Sequence, residues 1–266
     1  MRHHARARRR FVPAPLLRRI GNGLILPLAI VFAASFVATG IVFVPTDYAL
    51  QVEELLLALG SSVLRLGSAF LLALLVGIPL GLLAEANSRV EGYLLPIYDV
   101  FESLPILAFF PVIILFFIRS DFLEGAAVFI IFYSMVWTIA FSVIGGMKTI
   151  PTNVLAAGKV FGLTPWQRFR QIILPALFPS ILTASILAVA DGWNIVIVAE
   201  TLHAYAPQDV SAHDLFGIGS ILVSASSTGN GNLLLLAMAF LVAFIACVNV
   251  FAWQPLLERA QRYKFE

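Results

Sequence analysis

Charge is what this chain has least of. Asp, Glu, Lys and Arg make up 12% of its 266 residues, about half the share usual in a soluble domain. Seventeen basic and 15 acidic side chains cannot clothe a water-soluble globule of this size, which argues against a soluble enzyme, a nucleic-acid binder and a disordered chain. The single cysteine, Cys247, lies in an apolar run, so neither a disulfide nor a thiolate metal site is available. There is no His-Glu-x-x-His pair, no Gly-x-Ser-x-Gly and no cluster of metal ligands, so no catalytic or metal-binding residue is nominated. A Walker A loop is also missing. Gly158-Lys159-Val160 holds the only Gly-Lys pair, with neither the following Ser/Thr nor the preceding spaced glycine. What the chain does have is apolar residues, 60% of the total, gathered in long runs. That composition predicts an all-α integral membrane protein.

A run of about 20 apolar residues crosses the hydrocarbon core as a helix. Six such spans are expected: Leu24–Val44, Leu66–Ala84, Pro96–Ile118, Gly125–Met147, Leu177–Ala199 and Leu233–Trp253. The first exceeds a secretory h-region and lacks a clean cleavage site, so it is expected to be retained. The stretch Gln51–Arg65 ahead of the second reads as amphipathic. Six spans put both termini on one side, and the basic residues choose it. Fifteen of the 17 fall on the side of the N-terminus, seven of them before residue 20. The opposite loops carry Asp47, Glu53, Glu54, Asp121, Glu124, Asp209 and Asp214, while Arg65 sits at the mouth of the second span. Positive residues stay inside, so the termini are expected in the cytoplasm. The expected organisation is a basic tail over 1–23, a transmembrane domain over 24–254 and a short tail over 255–266.

Residues 148–176 form a long cytoplasmic connection with helical grammar of its own. Pro151 suits a first turn, Gly162 suits a reversal, and Thr164-Pro165-Trp166-Gln167 reads as a capping box with proline at the first helical position. Trp166, Arg168, Phe169 and Arg170 follow, and Pro175 is expected to end this second helix. From the residues alone two readings stand. The clustered arginines and exposed aromatic make either a docking surface or an interfacial helix lying on lipid headgroups.

The stretch from Ala156 to Pro175 resembles the EAA loop of ABC importer permeases, in which glycine is followed thirteen positions later by Leu-Pro. Gly162 and Leu174-Pro175 are in register. Ala156 stands where the family has glutamate, and Gly158 where it has the second alanine, beside Ala157. Arg65-Leu66-Gly67-Ser68-Ala69-Phe70 with Gly77-Ile78-Pro79-Leu80-Gly81 is similar to the family's second span. Leu104-Pro105-Ile106-Leu107-Ala108-Phe109-Phe110-Pro111 is similar to the third span of its nitrate/sulfonate/taurine-type branch, and Trp193-Asn194, Ala199-Glu200 and Gly217-Ile218-Gly219 to the same branch around the fifth.

The resemblance implies a six-helix type I importer permease in the cell inner membrane, with no chemistry of its own, moving a small anion or related small solute. It implies a cytosolic ABC ATPase dimer that carries the ATP and Mg, an extracytoplasmic substrate-binding protein, and a second permease subunit, identical or different. It also implies that Ala156, Ala157, Gly158, Gly162, Pro165, Trp166, Arg168, Phe169, Arg170 and Pro175 form the ATPase-coupling loop.

Acidic residues inside a span cost about 2.5–3.5 kcal/mol at the helix centre, so they call for a reason. Asp99 and Glu102 share a helical face early in the third span, as do Asp191 and Asn194 beside Trp193 in the fifth. Glu200 is expected at that helix's outer end, within reach of water. Glu102, Asp191, Trp193, Asn194 and Glu200 are the candidates for lining a pathway, interhelical hydrogen bonding being the alternative role. The polar segment from His203 to Asn232 is expected to face a binding protein, with a short surface or re-entrant helix near Leu215–Ser224. A different functional class also fits such carboxylates, an ion-coupled secondary carrier using Asp191 and Glu102, although the internal repeat usual in carriers is not evident.

Overall fold

The computed structural model describes residues 48–85, 87–119, 122–205 and 213–260. The expected first span and most of the basic tails lie outside these. Among the described residues every regular element is helical: α1 (Tyr48–Ala84), α2 (Ser88–Ser103), α3 (Ile106–Arg119), α4 (Leu123–Lys148), α5 (Thr152–Val160), α6 (Pro165–Glu200), α7 (Ile218–Ser227) and α8 (Gly231–Ala260). Four of them, α1, α4, α6 and α8, are long and apolar enough to cross a membrane, and α2 with α3 makes a fifth if that bent pair is one span. The six-span expectation therefore has at most five spans here.

The core is a three-helix stack, with α4 lying between α1 and α6. Along α1 the residues at every fourth position, Ala69, Ala73, Gly77 and Gly81, are small and buried. Their spacing puts them on one face, and that face lies against α4. A methyl group added at Gly77 would stand 2.8 Å from the Val136 carbonyl oxygen, and one at Gly81 2.7 Å from that of Ala140. Lipid tails are as apolar as leucine, so close backbone approach through such seams, rather than apolar burial, holds membrane helices together. On its other side α4 meets α6, where Gly146 sits beneath Leu177 and Ser180, and Gly192 beneath Met135 and Leu66. The pairings run upward together for α1 and α4 and in opposite senses for α4 and α6. A second cluster at one end joins Leu55 and Leu59 of α1 to Ile218 and Leu222 of α7 and Ala237 of α8.

Three expectations need correction. The amphipathic stretch and the second span are one continuous helix, α1, because nothing in Gln51–Arg65 interrupts the helical register. The third span is broken, with α2 and α3 meeting at 84°. Pro105 is the cause: having no N–H, it leaves the Phe101 carbonyl without its regular partner. The Leu104 N–H at 3.3 Å and the Tyr133 hydroxyl at 2.5 Å donate to that carbonyl instead. Pro175, finally, does not end a helix. The turn Phe169–Ile173 widens to π geometry, the Leu174 N–H reaching five residues back to the Phe169 carbonyl, and α6 runs through. The same device, Asn249–Trp253, carries α8 past Pro255. Loss of one regular hydrogen bond is absorbed in a wider turn rather than a break.

Candidate functional site

At one end of α6 is the connection foreseen as a coupling loop. α5 and the first turns of α6 form a helical hairpin, and Gly162 carries the reversal with a φ of +69°, a conformation that only glycine adopts without strain. The Phe161 N–H donates to the Ala157 carbonyl at 2.9 Å and the Leu163 N–H to the Gly158 carbonyl at 3.1 Å. Thr164 closes the capping box: its hydroxyl accepts from the Gln167 N–H at 3.3 Å and its own N–H donates to Gln167 Oε1 at 2.9 Å. Gly158 is buried against Ile172, whose Cδ1 would lie 2.7 Å from an added methyl. That contact explains glycine at this position, since the two arms of the hairpin touch here.

Ala156, Pro165 and Arg170 are exposed, Ala157, Arg168, Phe169 and Pro175 half-buried. Trp166 is exposed and its ring lies 5.6 Å from that of Phe169. Reading the sequence missed two neighbours. Val160 and Phe161 are 84% and 81% exposed, and with Trp166 they form an apolar knob at the hairpin's tip. Two large apolar residues directly ahead of a turn glycine were the signal. Nearby, Lys148 at the end of α4 bonds Glu91 of α2 at 2.6 Å and lies 3.6 Å from Glu85.

The polar residues expected along a pathway separate into two groups. Asp99 and Glu102 are both on α2, before the break, and exposed; Asp191 and Asn194 are exposed on α6. Asp191 faces α4, where the Thr138 hydroxyl lies 3.4 Å from its carboxylate. Trp193 is half-buried and turns its ring to Phe244 of α8, 5.8 Å away.

Glu200 is different, and the expectation that water reaches it is wrong. Its side chain is 0% exposed. It receives the Ser62 hydroxyl at 2.6 Å, Arg65 Nη1 at 2.7 Å and the Gly219 N–H at 2.8 Å. A methyl added at Gly217 would collide with this carboxylate, and one at Gly219 would stand 2.6 Å from the Ile197 Cα and 2.8 Å from Glu200 Oε2. Glu200 thus holds the first turn of α7, where unpaired N–H groups favour an anion. Ser62 also accepts from the Ile218 N–H at 2.9 Å, and Arg65 Nη1 donates to the Phe216 carbonyl at 3.0 Å. The other side of the Arg65 guanidinium grips Glu124 at the start of α4, Nε to Oε2 at 2.5 Å and Nη2 to Oε1 at 2.8 Å. Arg65 was read at the mouth of a span and Glu124 as an acid of an outer loop. The structure makes them, with Glu200 and Ser62, one polar knot joining α1, α4, α6 and α7.

Several known proteins resemble this chain. The nitrate import permease protein NrtB of Leptolyngbya laminosa is 28% identical over 182 residues, 68% of this chain and 61% of that protein. The taurine transport system permease protein TauC of Escherichia coli K12 is 28% identical over 146 residues, 55% of this chain and 52% of that protein. The bicarbonate transport system permease protein CmpB of Synechocystis is 30% identical over 136 residues, 51% and 48%. The matched region thus spans about half to three-fifths of these relatives. Structures of the inward-facing MetNI methionine ABC transporter share the fold, with TM-scores of 0.65 and 0.68 at 18% and 17% identity, covering 81% of this chain and 99% of theirs. Residues 77–263, more than half of the chain, match the family described as "Binding-protein-dependent transport system inner membrane component". The chain belongs to that family.

Proposed function

We propose that this protein is the membrane-spanning permease subunit of an ATP-driven ABC importer, working with a separate cytosolic ATPase dimer, an extracytoplasmic binding protein and a second permease subunit. The observation that carries the reading is the continuity of α6. One helix of 36 residues starts in the exposed hairpin and ends at Glu200, so displacement of the hairpin moves the far end of the bundle. The hairpin is cytoplasmic in this reading, by the distribution of Lys and Arg. A partner ATPase closing on nucleotide pushes on Val160, Phe161 and Trp166. The bundle then changes between two discrete packings, one open to each side. The cargo is a small anion or related solute, as the names of the relatives suggest. Glu102, Asp191 and Asn194, polar and exposed on apolar helices, are the groups that would line its route.

The test is Gly162→Pro, which forbids the left-handed reversal but leaves every span intact. Reconstituted with its ATPase and binding protein, the variant should insert normally and lose substrate-stimulated ATP hydrolysis. Stimulation at the wild-type level would overturn the coupling role. Solute uptake by the purified chain alone, driven by a proton gradient, would instead support an ion-coupled carrier.

A further inference from the structure

The knot around Arg65 is asymmetric, and the asymmetry has a mechanical meaning. Glu200 has no exposed surface while the Glu124 side chain is 50% exposed, although both grip one guanidinium that is itself 7% exposed. Were Glu200 to let go, a carboxylate with no route to water would lose its charge partner, and Ser62 and the Gly219 N–H would have to compensate. Uncompensated buried charges are heavily penalised. Were Glu124 to let go, its carboxylate would turn to solvent. Arg65 would keep Glu200 and the Phe216 carbonyl through Nη1. Only Nε and Nη2 would need new partners, and they face the side on which Glu124 is already open. The first separation is costly and the second is cheap.

The surrounding packing shows what would separate. Glu124 lies in the first turn of α4. That turn is tied to α3, because the Phe122 N–H donates to the Phe117 carbonyl at 3.1 Å and Gly125 is enclosed by the rings of Phe117 and Phe122. Further along, α4 is clasped to α1 through Gly77 and Gly81. The α3–α4 corner is therefore held at its base by backbone contact and at its top by the Arg65–Glu124 pair. We propose that this pair is a releasable strut: it opens to part the α3–α4 corner from α1, while Arg65, Ser62, Glu200 and Gly219 stay joined as a fixed anchor that carries α7 with α6. The proposal rests on the transporter reading for its purpose, since an importer must open this end of its bundle.

The experiment uses the purified full chain in lipid nanodiscs, without partner proteins, so its outcome is independent of the ATPase assay above. Spin labels are placed on a Cys247→Ser background. The pair Leu64→Cys and Arg119→Cys spans the strut, and the pair Leu64→Cys and Ser226→Cys spans the anchor; all three sites are exposed. Pulsed electron resonance then measures both distance distributions. In Glu124→Ala the strut pair should gain a longer component, raising the open fraction about tenfold, a size ordinary for conformational coupling. Glu124→Asp should return it to the short distance, and the anchor pair should not change. If both pairs stay as in the wild type, or both lengthen together, the proposal is wrong. Should Glu124→Ala fail to fold, Glu124→Gln, which keeps the side chain's shape and removes its charge, takes its place. The longer component should then grow in the strut pair alone, and its absence would overturn the idea.

Discussion

The two ends of α6 are built on opposite principles. At Glu200 the polar groups of four helices satisfy one another inside the bundle, and the glycines around the carboxylate leave no space for anything else. At the other end, Trp166, Phe161 and Val160 stand open while the hairpin beneath them is fixed by its own cap, turn and a single glycine contact. One end is complete within the chain; the other leaves large apolar side chains uncovered. Exposed large apolar side chains on a fixed base are what the proposed docking of an ATPase requires. A buried ion pair marks an internal constraint.

The sharpest way to break this comparison is at Glu200. Replacing it with leucine leaves Arg65 with Glu124 and the Phe216 carbonyl, and removes the acceptor of the Gly219 N–H. Breaking a buried pair costs about 3–5 kcal/mol, so Glu200→Leu should sharply reduce the monodisperse protein recovered in detergent and lower its melting temperature. A normal melting curve would mean that the knot does not hold the fold. Ser62→Ala is milder. It leaves the Ile218 N–H without an acceptor and strips one donor from Glu200, a loss of about 1–3 kcal/mol, and thermal unfolding in detergent should place it between wild type and Glu200→Leu.

Why the knot escaped the sequence reading is instructive. Arg65 and Glu200 are 135 positions apart, and each was judged beside its own span, where a charged residue near a helix end is ordinarily solvated. Yet the orientation argument had already placed Arg65, Glu124 and Glu200 at the same end of the bundle. One cation and two carboxylates at one depth, flanked by Gly217 and Gly219, were enough to suggest a pair. The long spans α4 and α8 were legible because apolar runs of that length have few alternatives. The break at Pro105 was not, since α2 and α3 together are apolar enough to read as one span and composition is blind to an 84° bend. Pro175 misled in the other direction: a proline signals the end of a regular α-turn, but a π turn placed just before it lets the helix continue. The hairpin was the most legible region, because Gly162 and the Thr164 cap act locally and need no knowledge of distant partners.

The smallest expected effect belongs to the tip of that hairpin, and it is the most discriminating. Trp166 is 66% exposed, and within the chain its ring contacts that of Phe169. Substitutions at such surface sites usually change stability by no more than about 0.5 kcal/mol. Trp166→Ala should therefore melt with the wild type. If the knob is for docking, the same variant should lose most of its affinity for a partner ATPase, since exposed aromatics that become buried at interfaces are the residues whose truncation costs most. Stability and association would then separate completely at this end of α6, whereas at Glu200 no variant should alter function without first weakening the fold. A Trp166→Ala protein that melts early, yet binds its ATPase normally, would show that the tip serves the hairpin itself and would erase the contrast between the two ends.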